Sequence, residues 1–205
     1  MIIMNKIILI GGSPIVGKNY AARKVAESLK LPWISTDTIR EQMRKIVREK
    51  DFPNLFTHSE ATPEMAVEFL SKKSAKEIVK HQNDESLDVW KGMKALIETD
   101  YVWGNFIIEG VAVLPHLVKK LSVENKEIKV VFLVDDDIKR VRKTIFTRGL
   151  WDDADKYPDD VKEKEVEWVI EFNNYIIKES KKYGFPVVKI GDRKKYIDKI
   201  KELIQ

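Results

Sequence analysis

The run Gly11-Gly12-Ser13-Pro14-Ile15-Val16-Gly17-Lys18 is the densest concentration of chemistry-bearing positions in the chain. Gly12-x4-Gly17-Lys18 sits between an apolar, strand-like run at 6–10 and a helix-period stretch at 18–29, the spacing and context of a phosphate-binding loop. Successive backbone N–H groups of residues 13–18 can wrap an anion, and the helix opening at Gly17 aims the positive end of its dipole at it. Lys18 then reaches the β- and γ-phosphates. Glycine is expected at 12 and 17 because backbone must approach the ligand where a Cβ would obstruct it; Gly11 eases the strand into its turn. The cradle comprises Gly12, Ser13, Pro14, Ile15, Val16, Gly17, Lys18, Asn19 and Tyr20. Three of the chain's nine glycines fall here, so a glycine-poor sequence concentrates them at one turn. Two positions depart from the usual pattern. Ile15 stands where a mid-loop glycine is frequent, and Asn19 stands where a Ser or Thr hydroxyl normally ligates Mg²⁺. An amide oxygen at 19 is a longer, weaker ligand, acting through water.

Two further strand ends carry carboxylates. Ser35-Thr36-Asp37 closes one run and opens a helix carrying Arg40. At the carboxyl edge of a doubly wound sheet, where ligands sit, Asp37 is placed to take a proton from an attacking hydroxyl, and Arg40 to clamp an anionic substrate. Asp37 is also a good N-cap type for the helix that follows. Phe106-Ile107-Ile108-Glu109-Gly110 repeats the geometry, with Glu109 suited to holding a metal-bound water. Asp135-Asp136-Asp137 reads as a helix start charged to suit its dipole. Arg140, Arg142 and Lys143 read as a solvated helix face. Arg148, at the hinge before Gly149, is the arginine expected to neutralise charge developing on a transferred phosphoryl group.

Elements must hold these groups in place. Short runs rich in Ile, Val and Phe at 6–10, 32–35, 106–109, 129–134 and 187–190 read as buried parallel strands. They alternate with helix-period stretches at 18–29, 38–49, 115–122, 136–148, 159–183 and 193–204. This alternation predicts an α/β, doubly wound fold, a three-layer sandwich around a five-stranded parallel sheet. The exception is 50–104, a helical insert expected at the edge or mouth of the sheet, with a turn at 51–55 and helices near 63–80 and 84–99. Residues 148–160 read as a lid. Residues 1–205 thus form one domain with an insert and a lid. Trp168, Phe172, Tyr175 and Ile176 recur at helical spacing and read as core packing.

Composition narrows the chemistry. There are no cysteines and three histidines, far apart, which argues against thiolate zinc sites, cysteine nucleophiles and a histidine-rich metal centre. Thirty-seven basic and 33 acidic residues leave a net charge of +4. They are well mixed, without the clustered Arg/Lys and interleaved aromatics that nucleic-acid binding wants. No apolar run is long enough for a bilayer, and the first residues read as a buried strand and not a signal peptide, so the expected compartment is the cytoplasm.

The segments Gly11-Gly12-Ser13-Pro14-x-x-Gly17-Lys18, Ile34-Ser35-Thr36-Asp37-Thr38-Ile39-Arg40 and Ile107-Ile108-Glu109-Gly110-Val111, with Leu114-Pro115 just after, resemble the 2-phosphoglycerate kinase family of P-loop small-molecule kinases. Pro53-Asn54-Leu55-Phe56-Thr57-His58-Ser59 is similar to that family's Pro-x-Leu-x-Thr-Ser-Ser stretch. His81-Gln82 with Val89 and Gly92 sits where the family carries a Gln-x-x-x-Val-x-x-Gly-like helix. The likeness runs over roughly residues 5–150. It implies a P-loop kinase fold and ATP-dependent phosphorylation of a small phosphorylated hydroxy acid. ATP would lie on Gly12–Asn19, Asp37 would activate the hydroxyl, and Arg40, Thr57, His58 and Ser59 would meet the acceptor. His58 replaces a small hydroxyl residue, Asn19 the metal-ligating one, and Ala112-Val113-Leu114-Pro115-His116 departs from His-x-x-Pro-Gly. The expected cofactors are ATP and Mg²⁺, the latter held by Asn19 and by Glu109 or Asp37 through water. The alternatives are a nucleoside or nucleotide kinase, which would want a lid arginine absent from 150–160, and a nucleotide-binding regulatory protein whose catalysis lapsed with Asn19.

Overall fold

The computed structural model describes residues 5–57, 62–99, 104–121, 126–150 and 153–205. Five strands, β1 (Asn5–Gly12), β2 (Trp33–Ser35), β3 (Phe106–Glu109), β4 (Lys126–Val134) and β5 (Val187–Lys189), form one sheet in the order β2-β3-β1-β4-β5. Every pairing is parallel, as the buried, β-branched runs predict. The helices are α1 (Lys18–Leu29), α2 (Thr36–Ile46), α3 (Pro53–Phe56), α4 (Pro63–Lys72), α5 (Ala75–Glu98), α6 (Pro115–Val118), α7 (Ile138–Thr147), α8 (Asp159–Tyr183) and α9 (Arg193–Ile204).

The period-2 alternation of strand side chains divides the core into two layers. Ile8, Ile10, Ile107, Val131 and Leu133 point to one face, where Ala21, Ala22 and Val25 of α1 and Ile197 and Ile200 of α9 cover them. Ile7, Leu9, Phe106, Ile108, Phe132 and Val134 point to the other, against α2, α5, α7 and α8. The result is the three-layer α/β sandwich.

Several boundaries differ from the sequence expectation: β4 begins at Lys126, α2 ends at Ile46 and α6 ends at Val118. The insert differs in two further ways. The break between α4 and α5 falls at Lys73–Ser74, not near 81–83, because Ser74 and Glu77 close a reciprocal capping box. Glu77 N–H donates to Ser74 Oγ (3.3 Å), and Ser74 N–H donates to Glu77 Oε2 (2.9 Å). Nothing interrupts the helix over 81–83, so α5 runs on unbroken. The turn expected at 51–55 is wound into a 3₁₀ turn, Glu49–Asp51, and the short α3. Val89, Met93 and Ile97 of α5 are buried in the same cluster as the sheet face, and Gly92 gives Met43 of α2 room to approach. The second half of the insert is therefore part of the layer that covers the sheet. Among the described residues no helix is long and apolar enough to cross a membrane.

Candidate functional site

The register places the chemistry. Ser35 lies abreast of Glu109, Glu109 abreast of Ile10, and Gly12 abreast of Leu133. The carboxyl ends of β2, β3, β1 and β4 therefore finish side by side, and the loop between β1 and α1 rises from the middle of that edge. Gly12 has φ +141°, and a Cβ there would strike the Leu133 carbonyl oxygen of β4. Neighbouring backbone already demands glycine at 12, before any ligand approaches. Gly17, in the left-handed region at φ +77°, is the N-cap of α1. Gly11 does more than ease the turn: a Cβ would lie 2.5 Å from the Phe132 ring and 2.6 Å from the Val113 carbonyl. Ile15 also adopts a left-handed φ, +56°. A β-branched residue there is strained by about 1–3 kcal/mol, so the loop keeps its bend without the usual glycine.

Lys18, at the start of α1, is buried, with 8% of its surface exposed. Its ammonium donates to the Ser13 carbonyl at 2.6 Å. Burial pushes its pKa below the usual lysine value, opposed by the charges of Glu109 first and Asp37 second. Glu109 is buried as well, and burial raises its pKa against the pull of Lys18 and of the Ser35 hydroxyl. One cation and two carboxylates thus share the mouth of the loop.

Asp37 is not the N-cap. That place belongs to Ser35, whose Oγ accepts the Asp37 N–H at 3.2 Å. The Asp37 side chain is left 63% exposed, 3.2 Å from Arg40 Nη1. Arg40 also meets Glu41 at 3.1 Å and Glu85 of α5 at 3.7 Å. One turn on, Arg44 donates to Glu85 (2.9 Å), Glu41 (2.7 Å) and the Leu55 carbonyl (2.5 Å). The expected anion clamp is therefore a guanidinium whose charge is shared among three carboxylates.

Of the other expected residues, Asn19 is exposed on the first turn of α1. The Tyr20 ring is stacked under Arg193 of α9 (4.9 Å) and Arg23 (5.9 Å). Thr57 ends α3, its hydroxyl 3.5 Å from the Pro53 carbonyl. His58 and Ser59 lie outside the described residues. Arg148 is exposed at the C-cap of α7, and its carbonyl accepts from Ala154 N–H at 3.2 Å. The donors near the loop suit a hard cation: a carboxylate, a hydroxyl and an amide oxygen. Among the described residues no group of three or more His, Cys, Asp or Glu side chains gathers to hold a metal. A magnesium ion here would draw on phosphate oxygens and water alongside Glu109 or Asn19.

No protein-family model matches the chain. It is 29% identical over 202 residues (97% of its length) to the 2-phosphoglycerate kinase of Methanocaldococcus jannaschii. It is 30% identical over 201 residues (95%) to that of Methanothermobacter thermautotrophicus. The chain is thus similar in sequence to 2-phosphoglycerate kinases. It spans 62% and 63% of the length of those two relatives. Among solved structures, a gluconokinase from Sinorhizobium meliloti superposes with a TM-score of 0.56 at 10% identity, covering 98% of this chain and 94% of that one. A shikimate kinase from Acinetobacter baumannii, in complex with shikimate, gives 0.53 at 12% identity, covering 98% and 92%. At these identities the two share the fold, a P-loop kinase-like sandwich.

The sequence motifs pass over three residues that the fold brings to the site. Ser35 caps α2 and borders Glu109. Glu85 ties α5 to both arginines of α2. Asn173 of α8 meets the loop itself: it is 4% exposed and accepts the Ser13 hydroxyl at 2.6 Å. A signal for Asn173 existed in the sequence. It stands four residues after Val169 and three before Ile176, the buried phase of α8, where an amide needs partners. Arg140 does not belong to a solvated face either. It grips the Asp135 carboxylate through Nε (2.8 Å) and Nη2 (2.5 Å) and donates to the Ile190 carbonyl (3.0 Å). Arg142 pairs with Glu163.

Proposed function

We propose that this chain is an ATP-dependent small-molecule kinase that moves the γ-phosphoryl group to a hydroxyl of a small, anionic acceptor such as 2-phosphoglycerate. One observation carries the reading: a buried lysine at the end of a glycine loop feels the charge of an exposed carboxylate, Asp37, that a neighbouring serine has relieved of helix capping. Phosphoryl transfer asks the protein mainly for positioning and charge stabilisation, and this edge of the sheet offers both.

In this scheme the loop N–H groups and Lys18 hold the ATP phosphates, and Tyr20 borders the nucleotide. Asp37 accepts the proton of the acceptor hydroxyl as its oxygen bonds to the γ-phosphorus. The bond from that phosphorus to the bridging oxygen breaks, and ADP leaves. Glu109 and Asn19 would hold Mg²⁺ through its water, and the ion would supply neutralisation of phosphate charge. Arg40, Thr57, His58 and Ser59 form the acceptor side, and Arg40 turns from its carboxylates toward the anion. Arg148, at the hinge of a lid over 148–160, meets charge spreading onto the transferred group.

The test is an ADP-release screen with Mg²⁺ and ATP over phosphorylated hydroxy acids, sugars and nucleosides, with Lys18→Ala as control. Release that depends on a phosphorylated hydroxy acid and on Lys18 is expected. Release with nucleosides alone points instead to a nucleoside kinase. ATP binding without release on any acceptor points to a regulatory nucleotide-binding protein.

A further inference from the structure

Asn173 is a polar side chain on the buried face of α8, beside Phe172 and Ile176, which are fully buried. Burying an amide costs free energy unless each of its groups is paired. Here the pairing also determines which way the amide points. Asp135 N–H donates to Asn173 Oδ1 (3.1 Å), and Asn173 Nδ2 donates to the Asp135 carbonyl (2.9 Å). A backbone N–H only donates and a carbonyl only accepts, so Oδ1 must face the N–H. Oδ1 is also the atom 2.6 Å from Ser13 Oγ, so the Ser13 hydroxyl is the donor. Ser13 is wholly buried, and no solvent competes for that proton.

These bonds form one connected path. Lys18 donates to the Ser13 carbonyl, Ser13 to Asn173, and Asn173 to the Asp135 carbonyl at the end of β4. Arg140 holds the Asp135 carboxylate and the Ile190 carbonyl beyond β5. The first turn of the loop is thereby tied through Asn173 of α8 to the carboxyl end of β4, and from there through Arg140 of α7 to that of β5.

We propose that Asn173 is a positioning residue for phosphate binding: through the Ser13 hydroxyl it fixes the first turn of the loop, and with it the convergence of the loop N–H groups and the place of Lys18. This rests on the reading of residues 12–18 as a phosphate cradle. Asn173 touches no phosphate in this scheme, so its effect on affinity must pass through Ser13.

The experiment is calorimetric titration of ATP and of inorganic tripolyphosphate into wild type, Lys18→Ala, Asn173→Ala, Ser13→Ala and the double variant, with melting curves for each. Asn173→Ala and Ser13→Ala are each expected to weaken both ligands by about tenfold, the worth of one buried hydrogen bond. The double variant should be no weaker than the worse single, because both remove one interaction. Ligand affinities unchanged in both single variants, or losses that simply multiply in the double, overturn the proposal and leave Asn173 a core residue. If Asn173→Ala does not fold, Ser13→Ala decides: an unchanged Kd overturns the proposal, and a tenfold loss with an unshifted melting temperature upholds it. Wild type that binds neither ligand overturns the cradle reading and this proposal together. Binding that needs Lys18 but ignores Ser13 and Asn173 overturns this proposal alone.

Discussion

At the loop end of the site a single ammonium, Lys18, is enclosed by backbone and by the buried Glu109. At the α2–α5 end, two guanidinium groups and three carboxylates share a partly exposed face: Arg40, Arg44, Asp37, Glu41 and Glu85. The loop end holds charge in a low-dielectric pocket where each contact is strong and little can move. The other end is graded: Arg44 and Glu85 are mostly buried, while Asp37 and Glu41 stand largely in water, where pairs are weak and can be exchanged. An arrangement of the first kind suits a ligand common to every turnover. The second suits an acceptor that must displace one charged partner to enter.

Breaking the buried end should cost most. Lys18→Ala is expected to lower kcat/KM by about 10³-fold, as loss of a charge-stabilising donor does, and to remove ATP binding in a calorimeter. Asp37→Asn should lower kcat by roughly 10²-fold, the scale of general-base removal, while the Kd for ATP stays put. Full activity in this variant would reduce Asp37 to a partner of Arg40. Glu41→Gln, at the exposed end, should change the acceptor KM by about threefold and leave the ATP KM alone. The effect should shrink in high salt, whereas that of Lys18→Ala should not. Asn19→Ser should give the smallest kinetic change, a modest rise in Mg²⁺-dependent kcat in a magnesium titration.

Glu165 of α8 sharpens the contrast, because it is buried without the partners that Asn173 has. Among the described residues neither carboxylate oxygen has a hydrogen-bond partner. Burial, with the Asp153 charge adding to it and Lys162 opposing it, raises the pKa to about 7. The folded state then holds this proton more tightly than the unfolded chain. Stability is full below the ordinary carboxyl value of 4.5 and falls as pH rises through about 7, flattening above it. Glu165→Gln should remove that slope and raise the melting temperature at pH 8 by roughly 2–4 °C. An unchanged slope across pH 5–8 in this variant would assign the titration to another group.

Much of this was legible along the chain. The spans of α1, α8 and α9 and the five strands follow from apolar periodicity, and the loop follows from Gly12, Gly17 and Lys18. Even the α4–α5 break was written in Ser74 and Glu77, a signal easily passed over between two helical patterns. The role of Ser35 was not legible, since serine and aspartate are both good caps and only backbone geometry chooses between them. Nor were the partners of Arg40, because a guanidinium in a helix pattern looks the same whether it faces solvent or Glu85.

The sequence by itself determined local things: which segments are strands, which are helices, where backbone can cradle a phosphate, and which side chains carry charge. Those follow from propensity, periodicity and glycine's freedom, which act over a few neighbouring residues. Tertiary structure alone decided that Glu109 lies buried beside Lys18, that Asp37 is free of the cap, and that an amide 160 positions away holds Ser13. The physical reason is that hydrogen bonds and burial depend on distance in space. Spacing along the chain does not encode that distance until the sheet has brought β1, β3, β4 and α8 together.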